Sequence, residues 1–172
     1  IGSSSYGLGR INNGEIKVVH KGDITQSSGF YDAGSDNAGG DMKGLVIGTS
    51  CTSIGNYAFN TCTNLTGDLV IPNSVTSIGA YAFADTTFGG AIVIPDSVTS
   101  IGSYAFYYCN SFTSLYVNTP ASSWVGSNAL TGAGLTTIYV NGVTALGYTS
   151  GAQTFQGKSL TIAEWTNYPN IP

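Results

Sequence analysis

The chain has 172 residues with 5 basic and 9 acidic side chains, and its formal net charge is −4. Charged residues make up 8% of the chain, against about 25% in typical soluble domains. Because like charges form no block, the composition argues against nucleic acid and anionic membranes as partners, and no apolar run reaches the roughly 20 residues of a membrane span. A surface rich in Gly, Ser, Thr and Asn favours an extracellular or cell-surface location. Since the chain starts at Ile1 rather than Met, we expect a processed piece whose signal peptide lies outside this sequence.

The first 40 residues match no recognisable motif and are expected to cap the N-terminal end of the domain. The opening segment IGSSSYGLGRI is rich in Gly and Ser and carries four apolar side chains, Ile1, Tyr6, Leu8 and Ile11. An extended segment of this kind can add a strand to a neighbouring copy of the chain. A disordered terminus is the alternative interpretation.

Two features ahead of the repeats carry candidate chemistry. The stretch YDAGSDNAGGD contains Asp32, Asp36 and Asp41, a weak calcium candidate, because the carboxylate spacing is not that of an EF-hand loop and a solvated loop is favoured. His20 is the single histidine, and the sequence places no second group to activate a nucleophile. We therefore predict a protein that is not an enzyme and uses no cofactor.

One sequence motif occurs three times in the middle of the chain. Residues 46–59 read VIGTSCTSIGNYAF, residues 70–83 read VIPNSVTSIGAYAF, and residues 93–106 read VIPDSVTSIGSYAF. The copies begin 24 and 23 residues apart. A period of this length is typical of stacked supersecondary units, so the sequence predicts a solenoid.

Each repeat opens with an apolar-x-apolar triplet that predicts a short strand. Five triplets recur at intervals of 24, 23, 23 and 23 residues, and they are Leu45-Val46-Ile47, Leu69-Val70-Ile71, Ile92-Val93-Ile94, Leu115-Tyr116-Val117 and Ile138-Tyr139-Val140. Two weaker triplets, Ile16-Lys17-Val18 and Leu160-Thr161-Ile162, would raise the number of rungs from five to seven. We predict a single domain over residues 1–172, with a repeat core at 41–141 and a C-terminal cap at 142–172.

The pattern within each repeat predicts which residues form the core. The outer residues of each triplet point inward, and Ile, Ala and Phe recur in the SIGxxAF segment to supply the opposite wall. Between them, Pro-Asn-Ser or Pro-Asp-Ser ends the strand, the Gly permits a sharp bend, and the YAF segment has room for one helical turn. Cys62 and Cys109 would lie two rungs apart, about 9–10 Å, which is too far for a disulfide. We expect three buried thiols and leave a Cys51–Cys62 bridge as the alternative.

The motif VTSIGxxAFxxC, preceded by a strand ending in IP, resembles the BspA-type leucine-rich repeat over residues 45–117. The resemblance implies a leucine-rich-repeat-like solenoid of short strands, turns and single helical turns, with about 23 residues per coil. A fourth copy, SWVGSNAL, is degenerate, with Trp124 in the Ile position and Val125 inserted. Proteins with such repeats are often surface adhesins, so the resemblance implies a role in attachment.

Two repeated positions are candidate binding surfaces. The middle strand residues, Val46, Val70, Val93, Tyr116 and Tyr139, face away from the predicted core; such an apolar stripe indicates either a partner surface or simple β-propensity. The second set, Tyr57, Tyr81 and Tyr104, forms a ladder that either contacts sugars or packs between coils. Asn64 lies in an N-x-T glycosylation acceptor.

The leading functional interpretation is a non-enzymatic extracellular module that binds a cell-surface glycan or protein through these columns. The alternative is a self-assembling filament subunit. Its copies would join head to tail or exchange the N-terminal strand, because imperfectly capped solenoid ends offer unpaired edges.

Overall fold

The computed structural model describes residues 6–11, 15–20, 42–63 and 65–166, and it shows a β-solenoid of about five turns with about 23 residues per coil. Within these ranges the chain forms one 3₁₀ helix, Ala121–Ser123, and twelve strands. The strands are β1 (Tyr6–Ile11), β2 (Glu15–His20), β3 (Met42–Ile47), β4 (Ser53–Ile54), β5 (Leu69–Val70), β6 (Ser77–Ile78), β7 (Gly90–Ile94), β8 (Ser100–Ile101), β9 (Phe112–Val117), β10 (Thr137–Val140), β11 (Gly151–Phe155) and β12 (Lys158–Glu164). The predicted solenoid of short strands is confirmed.

The first wall of the solenoid is a parallel sheet in the order β5, β7, β9, β10 and β12. Its register places the predicted triplets side by side, with Leu69 opposite Ile92, Ile92 opposite Leu115, and Leu115 opposite Ile138. The first and third residues of these triplets are buried and the middle residues are not, because side chains alternate between the faces of a strand.

At the N-terminal end, β1 pairs antiparallel with β2, and β2 pairs parallel with β3. The predicted rung exists, but its register differs by two residues, since Val18 rather than Ile16 lies opposite Leu45. A separate irregularity between Ile16 and Lys17 shifts the pairing by one more residue, so that Ile16 lies opposite Met42. A shift of two keeps every side chain on the same face, so the hydrophobic pattern did not distinguish the two registers.

At the C-terminal end, β11 folds back antiparallel to β12 and forms the edge of the sheet. The predicted triplet is again displaced by two, because Ile162 rather than Leu160 lies opposite Ile138. The hairpin turn covers the preceding coil: the Leu130 N–H donates to the Gln156 carbonyl at 3.0 Å. The side-chain oxygen of Gln156 accepts a further N–H of that coil at 3.3 Å.

The second wall is a narrow parallel sheet of β4, β6 and β8, with Ser53 opposite Ser77 and Ser77 opposite Ser100. The glycine that follows each of these strands does not make a left-handed bend. Instead it permits close approach of the coils, because a Cβ at Gly102 would lie 2.6 Å from the Ala80 nitrogen. Glycine is required at this position, as predicted, but the reason is contact between coils rather than a sharp bend of the backbone.

The third wall is built from successive turns. Alternate N–H groups donate to carbonyls of the following coil, from Tyr57 to Ala80 at 2.9 Å and from Phe59 to Ala82 at 2.8 Å. The intervening N–H groups donate to the carbonyl three residues earlier, as in a single helical turn. The backbone N–H groups of this segment thus find hydrogen-bond acceptors alternately in the neighbouring coil and within their own coil.

A column of phenylalanine rings fills the space between the walls. Phe83 is fully buried and stacks on Phe59 with ring centroids 5.3 Å apart and on Phe106 at 5.5 Å. Phe88 closes the column from the side, at 6.2 Å from Phe83 with nearly perpendicular rings. The core is therefore continuous from coil to coil rather than divided into separate clusters.

All three cysteines, Cys51, Cys62 and Cys109, are buried thiols outside any disulfide, as predicted; the alternative Cys51–Cys62 bridge is not formed. The Thr86 hydroxyl lies 3.5 Å from the Cys109 sulfur, which places Thr86 on the adjacent coil, as the repeat register predicts. Burial raises the pKa of the Cys109 thiol to about 12, so it stays protonated and unreactive near neutral pH.

Candidate functional site

Three tyrosines on successive coils stack along the turn wall, and we name this column the tyrosine ladder (Tyr57, Tyr81, Tyr104). The rings of Tyr57 and Tyr81 are 5.0 Å apart and inclined by 4°, and those of Tyr81 and Tyr104 are 4.8 Å apart and inclined by 18°. All three residues have left-handed backbones, with φ of 57°, 55° and 59°, which is uncommon for residues other than glycine. Each is half-buried, so the ladder both packs between coils and keeps accessible surface.

The stacking limits what the middle ring offers a ligand. Both faces of Tyr81 are covered by its neighbours, so its rim and hydroxyl group are what a ligand can reach. Burial, and then the neighbouring phenols of Tyr104 and Tyr57, raise the pKa of Tyr81, and the hydroxyl therefore remains a hydrogen-bond donor near neutral pH. Asn128 continues the column on the next coil and donates from Nδ2 to the Tyr104 hydroxyl at 3.3 Å.

Two further tyrosines extend the ladder sideways, and the sequence analysis missed them. Tyr107 lies edge-on to Tyr104 at 5.3 Å, and Tyr108 lies 4.4 Å from Tyr107. The Tyr108 side chain is 47% exposed. Asn60 and Ala84 occupy the Tyr107 position in the two preceding copies, so the repeat gave no signal there; the doubled aromatic in YAFYYC was the available clue.

A second surface runs along the outside of the parallel sheet, and we name it the outer column. Its described members are Val70, Val93, Tyr116 and Tyr139. Val70 is 49% exposed. The rings of Tyr116 and Tyr139 stack at 5.0 Å with a 17° inclination, and Trp165 lies against Tyr116 at 5.0 Å. The outer column therefore changes from aliphatic to aromatic along the solenoid.

Polar side chains border the outer column on both sides. By strand alternation, Asp68, Ser114 and Thr137 lie on one side, and Asn118 and Asn141 on the other. None of the five is buried, and Asp68 alone among them is charged. The strip thus combines rings and methyl groups with four uncharged hydrogen-bonding side chains and one carboxylate.

The remaining predicted residues fall in two groups. Val46 lies in β3 opposite Val19, while Tyr6, Leu8 and Ile11 lie in β1, which pairs with β2 of the same chain. Outside the described residues are Ile1, Asp32, Asp36, Asp41 and Asn64. The predicted strand exchange, calcium site and glycosylation site stay predictions.

The described ranges contain no group of three His, Cys, Asp or Glu side chains that could hold a metal ion. They also contain no helix with the length and hydrophobicity needed to cross a membrane. Within the same part of the chain, the Glu164 carboxylate is bound into a turn, accepting the N–H groups of Gly142 at 2.6 Å and Val143 at 2.9 Å.

Short parallel strands and coils of about 23 residues define a leucine-rich-repeat scaffold. The family model for the BspA type leucine rich repeat region matches residues 38–161 in six copies, and the chain belongs to this family. The match extends beyond the 45–117 segment that the sequence motif covers, on both sides. Members of the family are generally surface-associated repeat proteins involved in interactions.

Two solved structures are similar to the chain. A leucine-rich repeat protein from Eubacterium ventriosum ATCC 27560 shares 20% identity with a TM-score of 0.61, over 96% of this chain and 43% of that one. A leucine-rich repeat protein from Bacteroides ovatus ATCC 8483 shares 16% identity with a TM-score of 0.37, over 81% of this chain and 58% of that one. The first supports the fold, and the chain spans about half the length of either protein. No curated protein sequence matches the chain.

Proposed function

We propose that this protein is a non-enzymatic extracellular recognition module that binds a glycan or a protein on the outer column. The observation that carries the proposal is the solvent-facing apolar strip itself, which begins with Val70 at 49% exposure and ends in the stacked pair Tyr116 and Tyr139. Exposed apolar strips rimmed by polar groups are typical of interaction sites.

The composition of the strip supports a partner recognised by shape and hydrogen bonds rather than by charge. The whole chain has 5 basic and 9 acidic side chains, so long-range steering is weak. Tyrosine side chains supply large contact areas at low entropic cost, and the exposed amide of Asn141 can both donate and accept hydrogen bonds. Sugar rings and uncharged protein surfaces both match this chemistry.

The experiment is a paired screen of the full chain against a glycan array and a panel of extracellular proteins, with a matched pair of variants. Val70→Ser removes an exposed valine from the outer column, and Val125→Ser removes a valine that is 66% exposed but lies outside the parallel sheet. We expect binding to weaken with Val70→Ser and with Tyr116→Ser, and to persist with Val125→Ser. Equal loss in both valine variants would refute binding at the outer column.

A specific observation also favours the filament alternative. Among the described strands, each end of the solenoid finishes in an antiparallel edge strand, β1 in one sheet and β11 in the other, and an edge strand can accept a strand from another copy. Negative-stain electron microscopy with light scattering over a concentration series tests this. Ordered filaments would support self-assembly, and a monomer at every concentration would refute it.

A further inference from the structure

Among the residues whose side-chain burial the structure describes, the accessible ones that are easily oxidised are tyrosines. Within the described ranges, the three thiols are at most 1% exposed, and the indoles of Trp124 and Trp165 are 6% and 8% exposed. The tyrosine ladder, by contrast, is only half-buried. A one-electron oxidant arriving from solvent therefore meets phenols first.

The ladder holds those phenols in a geometry suited to joining them. Tyr57, Tyr81 and Tyr104 share a left-handed backbone, and the planes of successive rings are nearly parallel, inclined by 4° and 18°. Their ring centroids lie 5.0 and 4.8 Å apart. The unpaired electron of a phenoxyl radical occupies an orbital perpendicular to the ring, and nearly parallel faces direct the reactive lobes of neighbouring rings towards one another.

We propose that the tyrosine ladder is an oxidative modification site, at which a peroxidase-type oxidant using hydrogen peroxide links successive coils through dityrosine bonds. Each of two neighbouring phenols loses one electron and one proton to the oxidant. The two radicals form one carbon–carbon bond between ring positions next to the hydroxyls, and each ring carbon then transfers its hydrogen to the phenolic oxygen as a proton. One peroxide is reduced to two waters, so each link removes two hydrogen atoms from the protein.

The structure gives such links a physical effect. None of the three cysteines forms a disulfide, and charged residues make up 8% of the chain, so coil-to-coil cohesion depends on packing and backbone hydrogen bonds. A link between Tyr57 and Tyr81 closes a loop of one coil. Like a disulfide, such a cross-link restricts the unfolded chain, and it raises the unfolding temperature.

The test treats the full chain with hydrogen peroxide and a haem peroxidase. The readouts are dityrosine fluorescence, intact mass, peptide mapping of the linked residues and denaturing electrophoresis. We expect monomers that have lost two hydrogen atoms per link, with Tyr57 joined to Tyr81 or Tyr81 to Tyr104, and a higher unfolding temperature than the untreated chain. Predominantly intermolecular links, or oxidation without ladder links, would overturn the proposal.

Two Tyr→Phe variants, each of which retains the aromatic ring, isolate the site. Tyr81→Phe preserves the stacked ring but cannot form a phenoxyl radical, so we expect loss of every link that contains Tyr57. Tyr139→Phe removes the equivalent pair on the outer column and leaves the ladder links unchanged. If Tyr57 is linked equally well in both variants, stacking does not direct the reaction and the proposal is wrong.

Discussion

Replacing Phe83 with Ala tests whether the phenylalanine column couples the coils. The side chain is fully buried and contacts Phe59, Phe106 and Phe88. Truncating a buried Phe costs about 3–5 kcal/mol, and each aromatic pair that is lost accounts for roughly 0.5–1.5 kcal/mol of this. Because Phe83 sits between two stacked neighbours, we expect the upper part of the range and a loss of cooperativity between the coils on either side.

The assay is urea unfolding followed in parallel by circular dichroism and by tryptophan fluorescence. Trp124 and Trp165 report on the later coils, whereas circular dichroism reports on the whole solenoid. We expect the two transitions to coincide in the parent chain and to separate in Phe83→Ala, while Phe83→Leu, which leaves a smaller cavity, shows a smaller loss. A loss below about 1 kcal/mol with coincident transitions would show that this column does not couple the coils.

Three further outcomes are expected. Burial raises the pKa of Tyr148 from 10.0 to about 12. The folded state therefore holds the phenol proton more tightly than the unfolded state, and the free energy of unfolding falls by on the order of 2 kcal/mol between pH 10 and 12. In Tyr148→Phe, unfolding midpoints measured against pH should fall less steeply over this range. Gly102→Ala should lower the unfolding temperature, because its Cβ would meet the backbone of the preceding coil at 2.6 Å, whereas Gly89→Ala, whose Cβ meets nothing nearer than 3.9 Å, should be nearly neutral. Gln156→Ala should cost about 1 kcal/mol in chemical denaturation, because its side-chain oxygen accepts a backbone N–H; an unchanged midpoint would show that this cap is dispensable.

The repeating part of the fold was predictable because each position of the repeat occurs in several copies along the chain. Leu69, Ile92 and Leu115 fall opposite one another as the period requires. The terminal rungs were displaced by two residues because strand periodicity tests only which face a residue occupies. Backbone irregularity at Ile16 and Lys17 leaves no mark in the hydrophobic pattern.

The sequence predicted only those residues of the candidate site that recur in successive copies of the repeat. The tyrosine ladder was visible from its period, but its lateral extension by Tyr107 and Tyr108 was not, since these residues occur in one coil. The sequence also did not show why glycine recurs after each Ser-Ile pair of the repeat. Close approach between coils depends on atoms that are a full repeat apart along the chain, as with Gly102 and Ala80.

The hydrogen bonds of the turn wall have a consequence for how such proteins change length. From Tyr57 to Leu130, the bonds between coils in this wall run in one sense, with the N–H of one coil donating to the carbonyl of the next. Every internal coil therefore presents the same acceptor row on one side and the same donor row on the other. Duplication or deletion of a whole coil leaves matching rows in contact, so this wall can accommodate a change in the number of coils, while the Gln156 carbonyl in the β11–β12 turn supplies the acceptor at the C-terminal end.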